Sequence, residues 1–347
     1  MNHLIRVILG NALAALIGFA TPGAASAQTG GMPDYGLRWS VIGSPGNAPA
    51  VIPNQFPFFP PTIVGGVGYQ YRVAQTEVTI GQWYEFATTY APHMRGDLNV
   101  ALSMRDEYGI QFSGMSNGVP SYSLSQGFAN WPVFIRSRAA ARYMNWLHNG
   151  KPDAAHARPE DFERGAYDVS TFGVDPNGIV TDQFQRSPGA RFFFPSRDEW
   201  TKAVYFDPNR YGPGQPGYWT QPNGTDTPLV HGRPEDGGQT NAIPWPSGVT
   251  LPRNVGSYAG VQTPWGLLDA SGGGQEFLDD ELAFSFGRYR FTAGSGWNEF
   301  SDDRIGTFGS ADVGTWGSIR VASIVPSPSA VVVIAVPGAC ALARRRR

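Results

Sequence analysis

Thiol is almost missing from this sequence. One of the 347 residues is cysteine, Cys340, so residues 28–325 hold no thiol. That excludes a disulfide, a thiolate nucleophile, an Fe–S cluster and a Cys-ligated zinc from the body of the chain. Charge of either sign is also sparse: Lys+Arg 26 against Asp+Glu 28 leaves a net charge of -2. No nucleic-acid or anionic-membrane partner is implied by that balance. Histidine is rare, and His93, His148, His156 and His231 are scattered without H-E-x-x-H spacing, which makes them surface or packing residues. No G-x-S-x-G elbow is present, so a serine hydrolase has no foothold.

What the chain does have is glycine (44), proline (29) and apolar residues at 41%, including 10 tryptophans. Such a composition can fill a core while leaving long irregular connections. The long apolar runs lie at the ends. Arg6, the run Val7–Ala20 and the small residues Ala25-Ser26-Ala27 read as a signal peptide over 1–27, cleaved after Ala27. A membrane anchor is the alternative, but the run is short for a hydrocarbon core of ~30 Å. At the other end, Pro-containing residues lead into an apolar stretch, Ala330–Ala343, and the cluster Arg344–Arg347. Four arginines there would hold that end on the cytoplasmic side.

Residues 28–65 are rich in Pro, Gly and Asn and predict an extended lead-in packed on the surface of a single domain over 66–324. Three helices are readable within that domain. The first is capped by Thr79, with Trp83, Phe86, Ala87 and Tyr90 on one face. The second starts at a Ser137 cap and stops at Gly150. The third carries an S-x-x-E capping box, Ser196 and Glu199, presents Trp200, Ala203 and Val204 as its apolar face, and ends at Pro208. Short apolar runs broken by Gly, Pro and Asn follow, which predicts a loop-rich α+β fold with short strands.

The stretch "LLDASGGGQEFLDD", residues 267–280, sets three glycines between two acids. A phosphate loop is excluded, because no Lys-Ser/Thr follows Gly274 and no final glycine falls in register. Asp269 and Glu276 do offer two carboxylates seven residues apart, and the glycines let intervening carbonyls converge. Hard oxygen ligands of that kind suit Ca2+. A glycine turn with solvated acids is the alternative. Asp279, Asp280 and Glu281 read as a solvated acidic face, since neighbouring side chains of an extended segment point to opposite sides. Trp131, Trp146, Trp200, Trp219, Trp265, Trp297 and Trp316 could stack on sugars, but packing is the expected use of most.

The tail over 325–347 resembles the PEP-CTERM sorting signal of bacteria that export exopolysaccharide, with Ser327 where that signal has Glu. The resemblance implies an exosortase-type sorting protease as partner and a transient membrane association; a plain C-terminal anchor is the alternative. The body resembles the formylglycine-generating enzyme, or sulfatase-modifying factor, family. The matching segments are "YRVAQTEVTIGQWYEF", "WPVFIRSRAAARYMNWL", "RFFFPSRDEW", "NVGSYAGVQTPWGLLDASGGGQEF", "TAGSGW" and "GSIRVAS", in family order. They span about Tyr69 to Ser323 and imply a variant of the C-type lectin fold.

Catalysts of that family oxidise a sulfatase cysteine with copper held by two cysteines after their R-G-G-S-W motif. Here that stretch reads "GSGWNEFSDDRIGTFG", without sulfur. Copper(I) selects soft ligands, so Glu299, Asp302 and Asp303 cannot take the same role, and no copper is expected. The resemblance also implies a calcium site, at positions matched by the Asp269 side chain, the Gly272 and Gly274 carbonyls and the Glu276 side chain. A second family calcium site starts at positions matched by Asn241 and the Ala242 carbonyl, but its later loop is shortened to "PWPSGVTLPRN". The implied function is an exported, non-catalytic, calcium-stabilised binding or structural protein near exopolysaccharide. The alternative is an oxidoreductase of the same superfamily with non-cysteine ligands. A glycosidase has only unpaired acids behind it.

Overall fold

The computed structural model describes residues 32–53, 60–94, 96–242, 251, 253–297 and 303–325. The expected signal peptide, the sorting tail from 326 onward, Glu299 and Asp302, and most of the shortened "PWPSGVTLPRN" loop lie outside them. Pro33–Val325 forms one compact unit. It mixes five α-helices with several small sheets, an arrangement compatible with α+β.

A four-stranded antiparallel sheet joins distant parts of the chain. Its order is Trp39–Ile42, Tyr71–Ala74, Ala322–Ile324, Phe192–Phe193. Trp39 pairs with Ala74, and Ala322 sits between Val73 and Phe193. Within the expected lead-in, residues 39–42 are an edge strand of this sheet, with Ile42 fully buried, and 50–52 pair with 62–64. Its alternating pattern is too short to read from sequence.

The helices are α1 (Ile80–Tyr90), α2 (Leu98–Ser103), α3 (Ser137–His148), α4 (Glu160–Glu163) and α5 (Arg197–Tyr205). In α1 the Thr79 hydroxyl accepts from Gln82 N, and the Gln82 side chain accepts from Thr79 N. α5 carries the same reciprocal box between Ser196 and Glu199. Both boxes satisfy donors that a helix start leaves free. The second expected helix begins at its predicted cap: Ser137 is the first helical residue and Arg136, one residue earlier, is the N-cap. α5 stops at Tyr205, ahead of Pro208, because Phe206 turns extended and pairs in a short ribbon. α2 and α4 were not legible, since six and four residues carry too little periodicity.

A second sheet, Glu276–Phe284, Gly287–Ala293 and Gly309–Ala311, packs on α5. Trp200, Val204 and Tyr205 of the helix bury against Ala270, Leu278 and Ala293. Trp200 Nε1 also donates to Glu276, the first residue of the strand that follows the glycine stretch 272–274. No helix among the described residues is long and apolar enough to cross a membrane.

Candidate functional site

The glycine stretch turns through two consecutive left-handed residues, Gly272 at φ 81° and Gly273 at φ 67°. Side chains cannot follow that path cheaply. The turn aims three successive N–H groups at oxygens from distant segments. Gly272 N donates to Ser295 Oγ at 2.9 Å, Gly273 N to Asn241 Oδ1 at 3.0 Å, and Gly274 N to Glu77 Oε1 at 2.8 Å. Of the three acceptors, a hydroxyl, an amide oxygen and a carboxyl oxygen, only Glu77 is titratable.

Beneath the turn lies a buried ionic cluster. Arg320, Glu276 and Glu77 are 0%, 1% and 1% exposed. Arg320 Nε donates to Glu276 Oε1 at 2.8 Å, and the other oxygen, Oε2, accepts from Trp200 Nε1 at 2.7 Å. The remaining Arg320 donors reach the carbonyls of Ala74, Gln75, Leu268 and Asp269. One guanidinium thus ties a strand of the first sheet to the acidic loop. Asp269 takes a left-handed backbone, φ 54°, which a short polar side chain tolerates, and its Oδ2 accepts from Gly256 N.

Three carboxylates, Glu77, Asp269 and Glu276, therefore face a single guanidinium. Burial pushes the Asp269 carboxyl up to about 6 and the Glu77 carboxyl well above its ordinary range. Glu77 Oε2 is buried and has no hydrogen-bond partner. This surplus of buried negative charge and the orphaned oxygen fit a hard divalent cation in chemistry. The Gly272 and Gly274 carbonyls accept no hydrogen bond among the described residues. Glu276 has lone pairs beyond those used by Arg320 and Trp200. Among the described residues no group of three or more His, Cys, Asp or Glu side chains is arranged to hold a metal, so such an ion would rely on the backbone carbonyls.

Of the four residues, Gly272 and Gly274 lie in the glycine stretch, Asp269 precedes it and Glu276 opens the strand that follows, and sequence reasoning missed Glu77 and Arg320 beside them. Arg320 left a signal in "GSIRVAS", a lone charge inside an apolar run, which marks a buried and partnered cation. Asn241 and Ala242 are both buried, and Asn241 serves the glycine turn from its side chain. Asp303 accepts from Ser271 Oγ at 2.6 Å and from Ser295 Oγ at 3.0 Å, which ties the segment after Trp297 to the same turn.

The acidic run needs a correction. Asp279 is 5% exposed and accepts from Tyr167 Oη and Arg186 N, with Arg186 Nη1 at 3.2 Å. Asp280 caps α5 through Arg197 N, and Glu281 pairs with Arg288. The solvated face fails because the strand packs its start against α5 and the 186–194 segment. Burial pushes Asp279 up to about 7 from its ordinary 3.8. The native state therefore holds this proton more tightly than the unfolded chain, and its contribution to stability falls as pH rises from about 4 to 7. Asp279→Asn is expected to flatten that slope in urea titrations at a series of pH values; an unchanged slope would contradict the assignment.

On the opposite side of the turn stands an aromatic cluster. Trp297 N donates to Gly273 O at 2.8 Å, and the Phe134 ring lies 2.9 Å from where a Gly274 Cβ would be. Tyr108 contacts Phe134, Trp131 and Trp297 at centroid distances of 5.5, 6.0 and 5.9 Å. Trp83, Trp146 and Trp200 are buried as packing residues, whereas Trp131 and Trp297 remain half-exposed.

No protein-family model and no curated protein matches this chain. Among solved structures it is similar to one titled "Crystal Structure of CarF", at 17% identity and a TM-score of 0.46, over 84% of this chain and 100% of that one. At that level the likeness carries no argument about fold family or function.

Proposed function

We propose that this chain is an exported, surface-associated, non-catalytic member of the formylglycine-generating enzyme family, with its C-type-lectin-like fold, acting as a binding or structural protein near exopolysaccharide. The observation that carries the reading is chemical: residues 28–325 contain no cysteine, and the stretch 294–309 that matches the family's copper-binding segment holds no sulfur ligand. A copper-dependent cysteine oxidation needs such ligands. What the scaffold keeps is a rigid polar turn with half-exposed aromatic residues beside it, the equipment of a binding surface.

Calcium in this proposal is structural. Asp269, Gly272, Gly274 and Glu276 would hold it, with Glu77 Oε2 as an added acid, and it would neutralise buried charge without taking part in chemistry. Export through the signal peptide, and tail removal by an exosortase-type protease after transient membrane association, belong to the same proposal.

Binding to exopolysaccharide and to a glycan array, with and without EDTA, tests it. Binding that weakens on chelation, with a midpoint of thermal unfolding raised again by added calcium, is the expected result. Absence of binding in both conditions would refute it. Metal analysis separates the oxidoreductase alternative, which requires stoichiometric copper or iron and oxygen consumption.

A further inference from the structure

Arg253 differs from Arg186, Arg288 and Arg320 in what holds it. Its guanidinium carbon lies 3.2 Å from the Trp297 ring centroid and 4.7 Å from that of Trp131. It makes no ion pair and no hydrogen bond among the described residues, although Arg186, Arg288 and Arg320 each pair with a carboxylate. Stacking against indole faces holds the guanidinium plane and leaves its N–H edge free for a planar anion. Burial lowers its pKa, so the cation has shed part of its water without gaining an ion-pair partner among the described residues.

The surroundings narrow the anion to one carried on a sugar. Trp131 and Trp297 are half-exposed, and Phe128 and Tyr108 extend the aromatic surface, with Phe128 4.5 Å from Trp131. Aromatic faces accept the apolar C–H face of a pyranose. A cavity of about 640 Å³ adjoins in sequence and in space: Asn130 and Val255, which line it, are joined by a 2.9 Å backbone hydrogen bond. They stand one residue from Trp131 and two from Arg253. Arg38, Gln75, Gln82 and Asn130 supply polar groups to its wall. That size is in the range that holds a small ligand.

We propose that Arg253, clamped between Trp131 and Trp297, forms a subsite for the carboxylate of a uronic-acid residue in an acidic polysaccharide. The inference rests on the binding function proposed above and names its ligand class. Carboxylate meets the guanidinium edge in a bidentate pair, the sugar ring packs on an indole, and hydroxyls turn toward the polar cavity.

The test uses the full exported chain with polygalacturonate, its methyl ester, dextran and poly-glutamate as probes, and free galacturonate as competitor. Expected is binding to polygalacturonate that falls at least about tenfold on Arg253→Gln and on methyl esterification, with weaker binding to poly-glutamate. Arg253→Lys keeps charge and stem but loses the planar fork, and is expected to lose affinity with an unchanged unfolding midpoint. Equal affinity of Arg253→Lys and the parent for polygalacturonate overturns the subsite while leaving a polysaccharide-binding protein. Equal binding of the ester, or tighter binding of poly-glutamate, also overturns it, the latter in favour of an acidic peptide. No binding to either polysaccharide, acidic or neutral, removes the binding function itself and the inference with it.

Discussion

Arg320→Met unfolds the body or leaves it barely folded at neutral pH. The substitution strips Glu276 of its cation and takes the Arg320 donors away from the carbonyls of Ala74, Gln75, Leu268 and Asp269. Removing one partner of a buried ion pair costs about 3–5 kcal/mol, because the other charge stays buried. Native domains have only about 5–15 kcal/mol in reserve. Here the remaining Glu276 also sits with Glu77 and Asp269, so the unpaired charge has like neighbours. Urea unfolding measures the loss. A change below about 1 kcal/mol would show that the pair is dispensable. Replacing both residues, Glu276→Met with Arg320→Met, is expected to recover part of the loss, since two apolar side chains of similar volume leave no buried charge behind.

Gly274→Ala is the second large effect. Its new methyl would lie 2.6 Å from Ser318 Cβ and 2.9 Å from the Phe134 ring, both rigidly held. Overpacking of this kind costs about 1–3 kcal/mol. Gly273→Ala reaches a similar cost by another route. It places a side chain at φ 67° and drives it to 2.3 Å from Glu77 Oε1, adding roughly 1–2 kcal/mol of left-handed strain. The two variants differ in readout. Gly274→Ala displaces Phe134 and is expected to alter the near-UV circular dichroism of the Tyr108–Trp131–Trp297 cluster. Gly273→Ala displaces Glu77 and is expected to weaken calcium stabilisation. Wild-type stability in both would mean that the glycines serve flexibility alone.

The contrast between these residues explains what the sequence could disclose. The Thr79 cap and the Ser196–Glu199 capping box were legible because their partners lie three residues apart, within reach of local chemistry. The ionic cluster was only half legible. Asp269 and Glu276 share one short stretch, but Glu77 meets Gly274 across 197 residues and Arg320 meets Gln75 across 245. No local pattern encodes contacts of that span, and a buried carboxylate looks like a solvated one in sequence. The same blindness produced the solvated reading of Asp279, whose partner Tyr167 is 112 residues away. Arg253 was overlooked because its stacking partners Trp131 and Trp297 come from segments distant from each other in sequence.

The architecture suits a scaffold that displays a surface. Arg320 fixes the underside of the turn to the first sheet, and the Gly273 carbonyl fixes Trp297 above it. Aromatic and cationic side chains on such a base are preorganised, so little conformational entropy opposes ligand capture.

Absence of sulfur chemistry is the claim on which the functional reading turns. The most direct measurement is incubation of the purified exported chain with a cysteine-containing sulfatase peptide, oxygen and copper, followed by mass spectrometry of the peptide. The account predicts that the cysteine remains unchanged with copper, with calcium or with neither. Conversion of that cysteine to an aldehyde would contradict it.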